Sequence, residues 1–332
     1  MEKITLDYIE EFKNQNIDVK KLRPKKSYDY LIKNRNQDLN NLLNSSKKKN
    51  FLIERKCPAC NSKKKTTVCK KDNLKIVKCK KCDLIFVSPV FDYNHYISLY
   101  KKKQYQNIVK KLGESSHNYR RKRFGAERVQ ILKKFLPKKK NKVLEIGCST
   151  GFFLEEANKE GWNTYGIEIN PSAVNFAKKK KLNVSNIDFI KSNFKTKFDV
   201  ICAFDVIEHL IDPKKFVKKA FKLLKKNGLL FVYVPNWQSA TRLLLGEQDS
   251  HFIWPTHHLT YFTPNTLKNF FEMQKLKLVY WETQGLDMVD IDWFLNHKKD
   301  NKSKFYKNNL EKIQFIFNSA GYGKNLRMIV RK

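Results

Sequence analysis

The chain has 332 residues, 41% hydrophobic and 13% aromatic, which is enough apolar material for a packed core and excludes disorder throughout. Its 68 Lys and Arg against 32 Asp and Glu give a formal charge of +36. No apolar run approaches the roughly 18 residues of a membrane span, and the opening Met1-Glu2-Lys3-Ile4-Thr5-Leu6-Asp7 lacks the apolar core of a signal peptide, so a soluble cytoplasmic protein with no membrane partner is expected. Residues 1–50 form a polar extension rich in Lys and Asn. Ile4, Leu6, Ile9 and Phe12 suit a short amphipathic helix there, and 40–50 reads as a linker.

A cysteine module follows at 51–90. Cys57-Pro58-Ala59-Cys60 and Cys79-Lys80-Lys81-Cys82 are two CxxC pairs with 18 residues between them. Each pair forms a knuckle that aims two sulfurs at one point, and two knuckles complete the tetrahedron of a structural zinc site. Thiolates select zinc over magnesium or calcium. Disulfides, redox chemistry and an iron–sulfur centre are the competing readings. The absence of a secretory signal argues against the first, and neither pair opens a helix after a strand as a redox pair would. Cys69, Cys148 and Cys202 read as plain thiols, the last two buried at strand ends.

Residues 91–141 form a basic connector, with Phe124, Val129, Leu132 and Phe135 spaced for a helix ending near Leu136. Between Lys101 and Lys142 stand 16 Lys and Arg against 2 acids. Lysine dominates the whole chain, with only 10 arginines among its 68 basic residues. That bias reads as coding composition more than as a nucleic-acid groove, which draws on arginine. The local stripe, with Arg120-Arg121-Lys122-Arg123, is the exception, and suits an anionic acceptor or a phosphate backbone.

From 142 to 332 strand-like runs (143–146, 164–169, 200–204, 229–234, 278–281, 326–330) alternate with helical ones (152–160, 171–180, 213–224). That alternation predicts an α/β, doubly wound Rossmann-like sheet carrying the small zinc-ribbon-like module at its N-terminal side. Its most informative stretch is Val143-Leu144-Glu145-Ile146-Gly147-Cys148-Ser149-Thr150-Gly151-Phe152, a strand ending in an acid, a turn of small residues and a helix start. Glu168 closes the next strand, beside it in such a sheet, where a carboxylate can accept both hydroxyls of a ribose. The GxGxxG spacing of a dinucleotide site is absent, and Glu145 would repel a diphosphate. An ammonium or sulfonium ligand suits it.

The stretch resembles motif I, E/D-x-G-x-G-x-G, of class I S-adenosylmethionine-dependent methyltransferases, with Ser149 in place of the middle glycine. Phe198–Ile201 through Asp205-Val206-Ile207-Glu208-His209-Leu210 resembles the fourth-strand motif of the small-molecule branch. Leu223–Leu230, His258-Leu259-Thr260-Tyr261-Phe262-Thr263-Pro264 and Asn325–Val330 resemble its later segments. The CxxC module followed by Leu-Ile-Phe-Val-x-Pro is similar to the N-terminal part of a bacterial subgroup in sugar, polysaccharide and secondary-metabolite pathways. The resemblance implies S-adenosyl-L-methionine held by Glu145, Gly147, Ser149, Gly151, Phe152, Glu168 and Asp205, and zinc on Cys57, Cys60, Cys79 and Cys82. It implies methyl transfer to a small-molecule acceptor, such as a nucleotide-linked sugar. His209 and His258 are the candidate catalytic bases, beside the expected methyl position. Trp237, Trp254 and Tyr261 are candidates for an apolar acceptor wall, and Phe262 for the core. The alternative is an RNA-associated methyltransferase, or a non-catalytic nucleic-acid-binding protein using the zinc module and basic stripe. Against it, the Asn/Asp-Pro-Pro-Tyr/Phe motif common in nucleic-acid amine methyltransferases is missing.

Overall fold

The apolar runs after residue 141 assemble into a seven-stranded sheet. The structure, a computed structural model, describes residues 17–22, 52–93, 103–136, 140–297 and 304–332. The helix around Ile4–Phe12 and the linker at 40–50 lie outside the described residues. The sheet strands are β6 (Lys142–Ile146), β7 (Asn163–Ile167), β8 (Val184–Ser185), β9 (Phe198–Phe204), β10 (Leu224–Pro235), β12 (Lys277–Gln284) and β13 (Asn325–Arg331). They lie in the order β12-β13-β10-β9-β6-β7-β8. β13 runs antiparallel between β10 and β12, and β6 to β10 are parallel. Numbered from β6 the order is 3-2-1-4-5-7-6, the reversal between β6 and β9 opening the crevice where such sheets bind ligands.

Alternate residues of each central strand feed two apolar layers. Leu144, Ile201 and Leu230 join one, and Val143, Val200 and Leu229 the other. Strands covered on both faces read as nearly continuous apolar runs, as β9 does. Helices start where cap and proline coincide. Asn170 caps α4 (Pro171–Lys179), Asp212 caps α5 (Pro213–Leu223), and Thr263 forms a capping box with Thr266 at α7 (Pro264–Glu272). The remaining helices of this part are α3 (Phe152–Lys159), α6 (Ala240–Asp249), α8 (Asp287–His297) and α9 (Lys304–Ser319).

The cysteine module is a small antiparallel sheet of β2 (Lys65–Lys71), β3 (Leu74–Cys79) and β4 (Ile85–Val87), preceded by β1 (Leu52–Ile53), which pairs with β5 (Val90–Phe91). It is no separate body. Its free edge is completed by β11 (Thr260–Tyr261), with Thr260 opposite Phe86 and Tyr261 opposite Ile85. Arg55 donates to the Leu259 carbonyl at 3.3 Å and to the Thr260 hydroxyl at 3.0 Å. Val77, Leu84 and Phe86 share one core with Phe262, Leu267 and Phe270.

The connector folds as α1 (Lys103–Arg120), a π turn (Arg121–Gly125) and α2 (Ala126–Lys133), packed on α3. Two of its arginines turn toward carboxylates of the same chain, while Lys110, Lys111 and Lys122 are exposed. Arg121 pairs with Glu156, and Arg123 lies 3.3 Å from Glu127. Glu127 in turn pairs with Arg327 of β13, whose other nitrogen reaches Glu282 of β12 at 2.8 Å. Arg327 is 1% exposed. Burial alone would raise the Glu127 carboxyl, yet Arg327 and Arg123 hold it below the ordinary carboxylate range. Among the described residues no helix is long and apolar enough to cross a membrane.

Candidate functional site

β6 ends in the turn 147–151, where the backbone passes three times through the left-handed region: Gly147 (φ 71°), Ser149 (φ 49°) and Gly151 (φ 76°). At Gly147 a Cβ would also meet Val206 Cγ2 at 2.7 Å, and at Gly151 Leu182 Cδ1 at 2.4 Å, so both positions need glycine twice over. Ser149 takes the same region with a short polar side chain. Its amide donates to Glu168 at 2.9 Å, and the Asn170 amide donates to the other carboxylate oxygen at 2.8 Å. Two of the four lone-pair sites of Glu168 are thereby used, and two remain for a ligand. The neighbouring ends of β6 and β7 place Glu145 and Glu168 as the sequence predicts.

Glu145 is 2% exposed, and its Oε2 has no hydrogen-bond donor. Burial pushes its carboxyl well above the ordinary value, opposed by the Arg128 guanidinium. Arg128, a residue sequence reasoning passed over, is buried with its guanidinium 3.9 Å from the Phe204 ring centroid and 5.3 Å from that of Phe152. His117 was missed too. It bonds Thr150 Oγ1 at 2.9 Å through Nδ1 and Glu155 at 2.8 Å through Nε2, clamping the turn from α1. No local signal marks His117, whose partners stand 33 and 38 positions away, or Arg128, whose ring partners Phe152 and Phe204 lie on other elements.

At the end of β9, Asp205 is exposed, with φ 55°, and Ile207–His209 make one 3-10 turn. His209 Nδ1 donates to the His257 carbonyl at 2.9 Å, and His258 Nδ1 to the Phe252 carbonyl at 2.6 Å. Burial pushes the His209 imidazole down to about 4, keeping it neutral at physiological pH. The two rings lie 4.9 Å apart, centroid to centroid. Trp254 stacks on His257 at 3.8 Å. Trp237, Tyr261 and Phe262 are buried, Trp237 and Tyr261 in the core that joins the cysteine module and Phe262 in the main one.

The four cysteines converge as the spacing predicts. Cys57 and Cys82 have their sulfurs 3.5 Å apart, as do Cys60 and Cys79, and all four lie within 4.8 Å of one another. A tetrahedron with metal–sulfur bonds of about 2.3 Å has sulfurs roughly 3.8 Å apart, so the set fits a zinc ion. Despite burial, the amides of Lys81 and Cys82 draw the Cys79 thiol down to about 7, toward the thiolate a metal needs.

Residues 117–280 match a family model described as a methyltransferase domain. Over that stretch, just under half of its length, the chain is similar to methyltransferase domains, and its sheet order is that of a Rossmann-like α/β fold. The domain is similar to the ubiquinone biosynthesis O-methyltransferase of Pelagibacter ubique, 36% identical over 108 residues, covering 30% of this chain and 44% of the relative. It is also similar to the protein of that name from Rhodopseudomonas palustris (strain TIE-1), 29% identical over 158 residues, covering 44% of this chain and 61% of the relative. The chain thus spans less than two thirds of either relative. Among solved structures, a SAM-dependent methyltransferase from Archaeoglobus fulgidus aligns at 22% identity and TM-score 0.46, covering 64% of this chain and 94% of that one. The family match begins at His117 and so takes in the second half of the connector.

Proposed function

We propose that this chain transfers the methyl group of S-adenosylmethionine to a hydroxyl oxygen of a small-molecule acceptor, and that its four cysteines hold a structural zinc ion. The observation that carries the reading is the pair of strand-end acids. Glu145 has a buried oxygen with no donor, matched to the ammonium of the methionine part, and Glu168 keeps two lone-pair sites for the ribose hydroxyls. Gly147, Ser149 and Gly151 let the backbone approach the ligand, Phe152 offers an apolar contact beside it, and Asp205 closes the methionine end. When bound, S-adenosylmethionine supplies an electrophilic methyl carbon on sulfur. The chain's part is to hold the acceptor in line, exclude water and accept the acceptor's proton. His209 and His258 stand at the carboxyl edge of β9, and with Nδ1 engaged to carbonyls each keeps its lone pair on Nε2. The names of the relatives favour oxygen as the acceptor atom. Sugar nucleotides, phenols and polysaccharide precursors are the acceptors to screen.

Calorimetric titration with S-adenosylmethionine tests the reading. Glu168→Ala is expected to weaken binding about a hundredfold, the loss of two charge-assisted hydrogen bonds. A folded wild-type chain that takes up no S-adenosylmethionine would sink the proposal. With an acceptor in hand, His209→Ala should lower kcat by about 10²–10⁴ while leaving S-adenosylmethionine affinity unchanged. Full turnover in that variant would remove His209 from the chemistry. The nucleic-acid reading gains nothing from Arg121 and Arg123, which face carboxylates of the same chain.

A further inference from the structure

Gly113 stands inside α1, where glycine is a poor helix former. Packing explains it. A Cβ there would meet Thr150 Cγ2 at 2.5 Å, so the backbone of α1 lies directly against the Gly-rich turn. His117 follows one helical turn later on the same face and is 1% exposed, as is Thr150. Among the described residues, the Thr150 hydroxyl has no hydrogen-bond partner but His117 Nδ1. Phe176 of α4 lies beside the imidazole, 5.1 Å away centroid to centroid. Through Glu155 the same ring reaches α3, so three helices and the turn meet at one side chain.

The partners fix which edge of the ring does what. Glu155 has Arg121 Nε 3.4 Å from one oxygen and Lys180 Nζ 3.4 Å from the other. Burial alone would raise its carboxyl, yet His117, Lys180 and Arg121 hold it below the ordinary carboxylate range. Burial pushes the His117 imidazole down, so the ring is neutral at physiological pH. A carboxylate can only accept, so Nε2 carries the single ring proton and donates it to Glu155. Nδ1 is left with a lone pair, and the Thr150 hydroxyl donates to it. The Nε2 edge thus ties α1 to α3, and the Nδ1 edge holds the turn.

We propose that His117 is a positioning residue for S-adenosylmethionine, its Nδ1 holding Thr150 and thereby the 147–151 turn in the shape that takes the cofactor. This role rests on the methyltransferase reading. Thr150 stands between Ser149 and Gly151, both in the left-handed region. Serine occupies that region against its own preference and stays only where its surroundings hold it. With the Thr150 side chain fixed, the Ser149 amide keeps its bond to Glu168, and the free lone pairs of Glu168 keep their direction. Without Nδ1, the Thr150 hydroxyl would be a buried donor lacking an acceptor, and the turn would shift to find one. The grip on the cofactor is therefore set from outside the sheet, by a side chain that acts through another.

Two substitutions in the full chain separate the edges of the ring. Asparagine puts its side-chain oxygen where Nδ1 stands and keeps an acceptor for Thr150. Glutamine reaches only the place of Nε2 and keeps the donor to Glu155. By calorimetric titration, His117→Gln and Thr150→Val should each weaken S-adenosylmethionine binding about tenfold, and the double variant no further, because both remove the same hydrogen bond. His117→Asn should stay within about threefold of the wild type. Urea unfolding should rank the two histidine variants alike, since each keeps one bond of two. Thr150→Val is nearly isosteric and decides the matter if a histidine variant fails to fold. Equal losses in His117→Asn and His117→Gln would make His117 a mere tie between helices and overturn the proposal. Wild-type affinity in His117→Gln or in Thr150→Val would overturn it too, while leaving the methyltransferase reading standing. Hydrogen exchange over 147–151 without cofactor is the second readout, faster in His117→Gln and Thr150→Val and unchanged in His117→Asn. That pattern in a wild-type chain that takes up no S-adenosylmethionine would sink the methyltransferase reading and the cofactor role, and keep the hold of His117 on the turn.

Discussion

Cys79→Ser is expected to release the zinc and melt the cysteine sheet while the cofactor half of the protein stays folded. Structural zinc in small modules contributes about 10–16 kcal/mol of apparent binding energy, comparable to the whole stability of a domain. The module has too few residues to replace that with apolar burial. Its edge strand β4 holds β11, so the damage should travel to residues 258–261 and withdraw His258 from His209. Glu145, Glu168 and the 147–151 turn are built on β6 and β7, which make no pairing with the module. Hydrogen exchange should lose protection over 57–87 and 259–262, S-adenosylmethionine should still bind within about threefold, and turnover should vanish. A zinc-free Cys79→Ser protein with full turnover would show the module to be a passenger.

Arg327→Met should cost about 3–5 kcal/mol of stability, because it strands two carboxylates. Glu127 and Glu282 both point at Arg327, which is almost completely buried on a central strand. Methionine fills much of the volume but offers neither charge nor donor. Pairing it with Glu127→Gln should recover part of the loss, since the amide tolerates burial better than an orphaned carboxylate. Urea unfolding of the two single variants and the double variant measures the coupling directly. A single variant within about 1 kcal/mol of the wild type would mean that water reaches the cluster.

The sheet was legible because its strands are buried on both faces. Runs such as 200–204 and 229–234 have no other reading once helices with proline and cap residues lie between them. The cofactor side was legible for a different reason. Small residues, an acid at each strand end and a turn are local features, and Ser149 fits because serine tolerates the left-handed region that glycine usually fills. What escaped are contacts between distant positions. Nothing in the stretch 101–142 reveals that Arg121 and Arg123 face inward, because side-chain direction on a helix depends on what the helix packs against. The join between β4 and β11 spans more than 170 residues, and a two-residue strand leaves no periodicity to detect.

The antiparallel strand β13 sits between β10 and β12, although both are made before it. During synthesis, β10 must therefore wait as an open edge for some ninety residues, with Phe231 and Val232 ready to pair with any other exposed strand. β12 can take its place only after β13 does. A ribosome-bound chain halted before residue 325 would carry the complete cofactor turn and an unfinished sheet. Its vulnerability to aggregation or to a holding chaperone should end abruptly when Arg327 emerges and closes on Glu127.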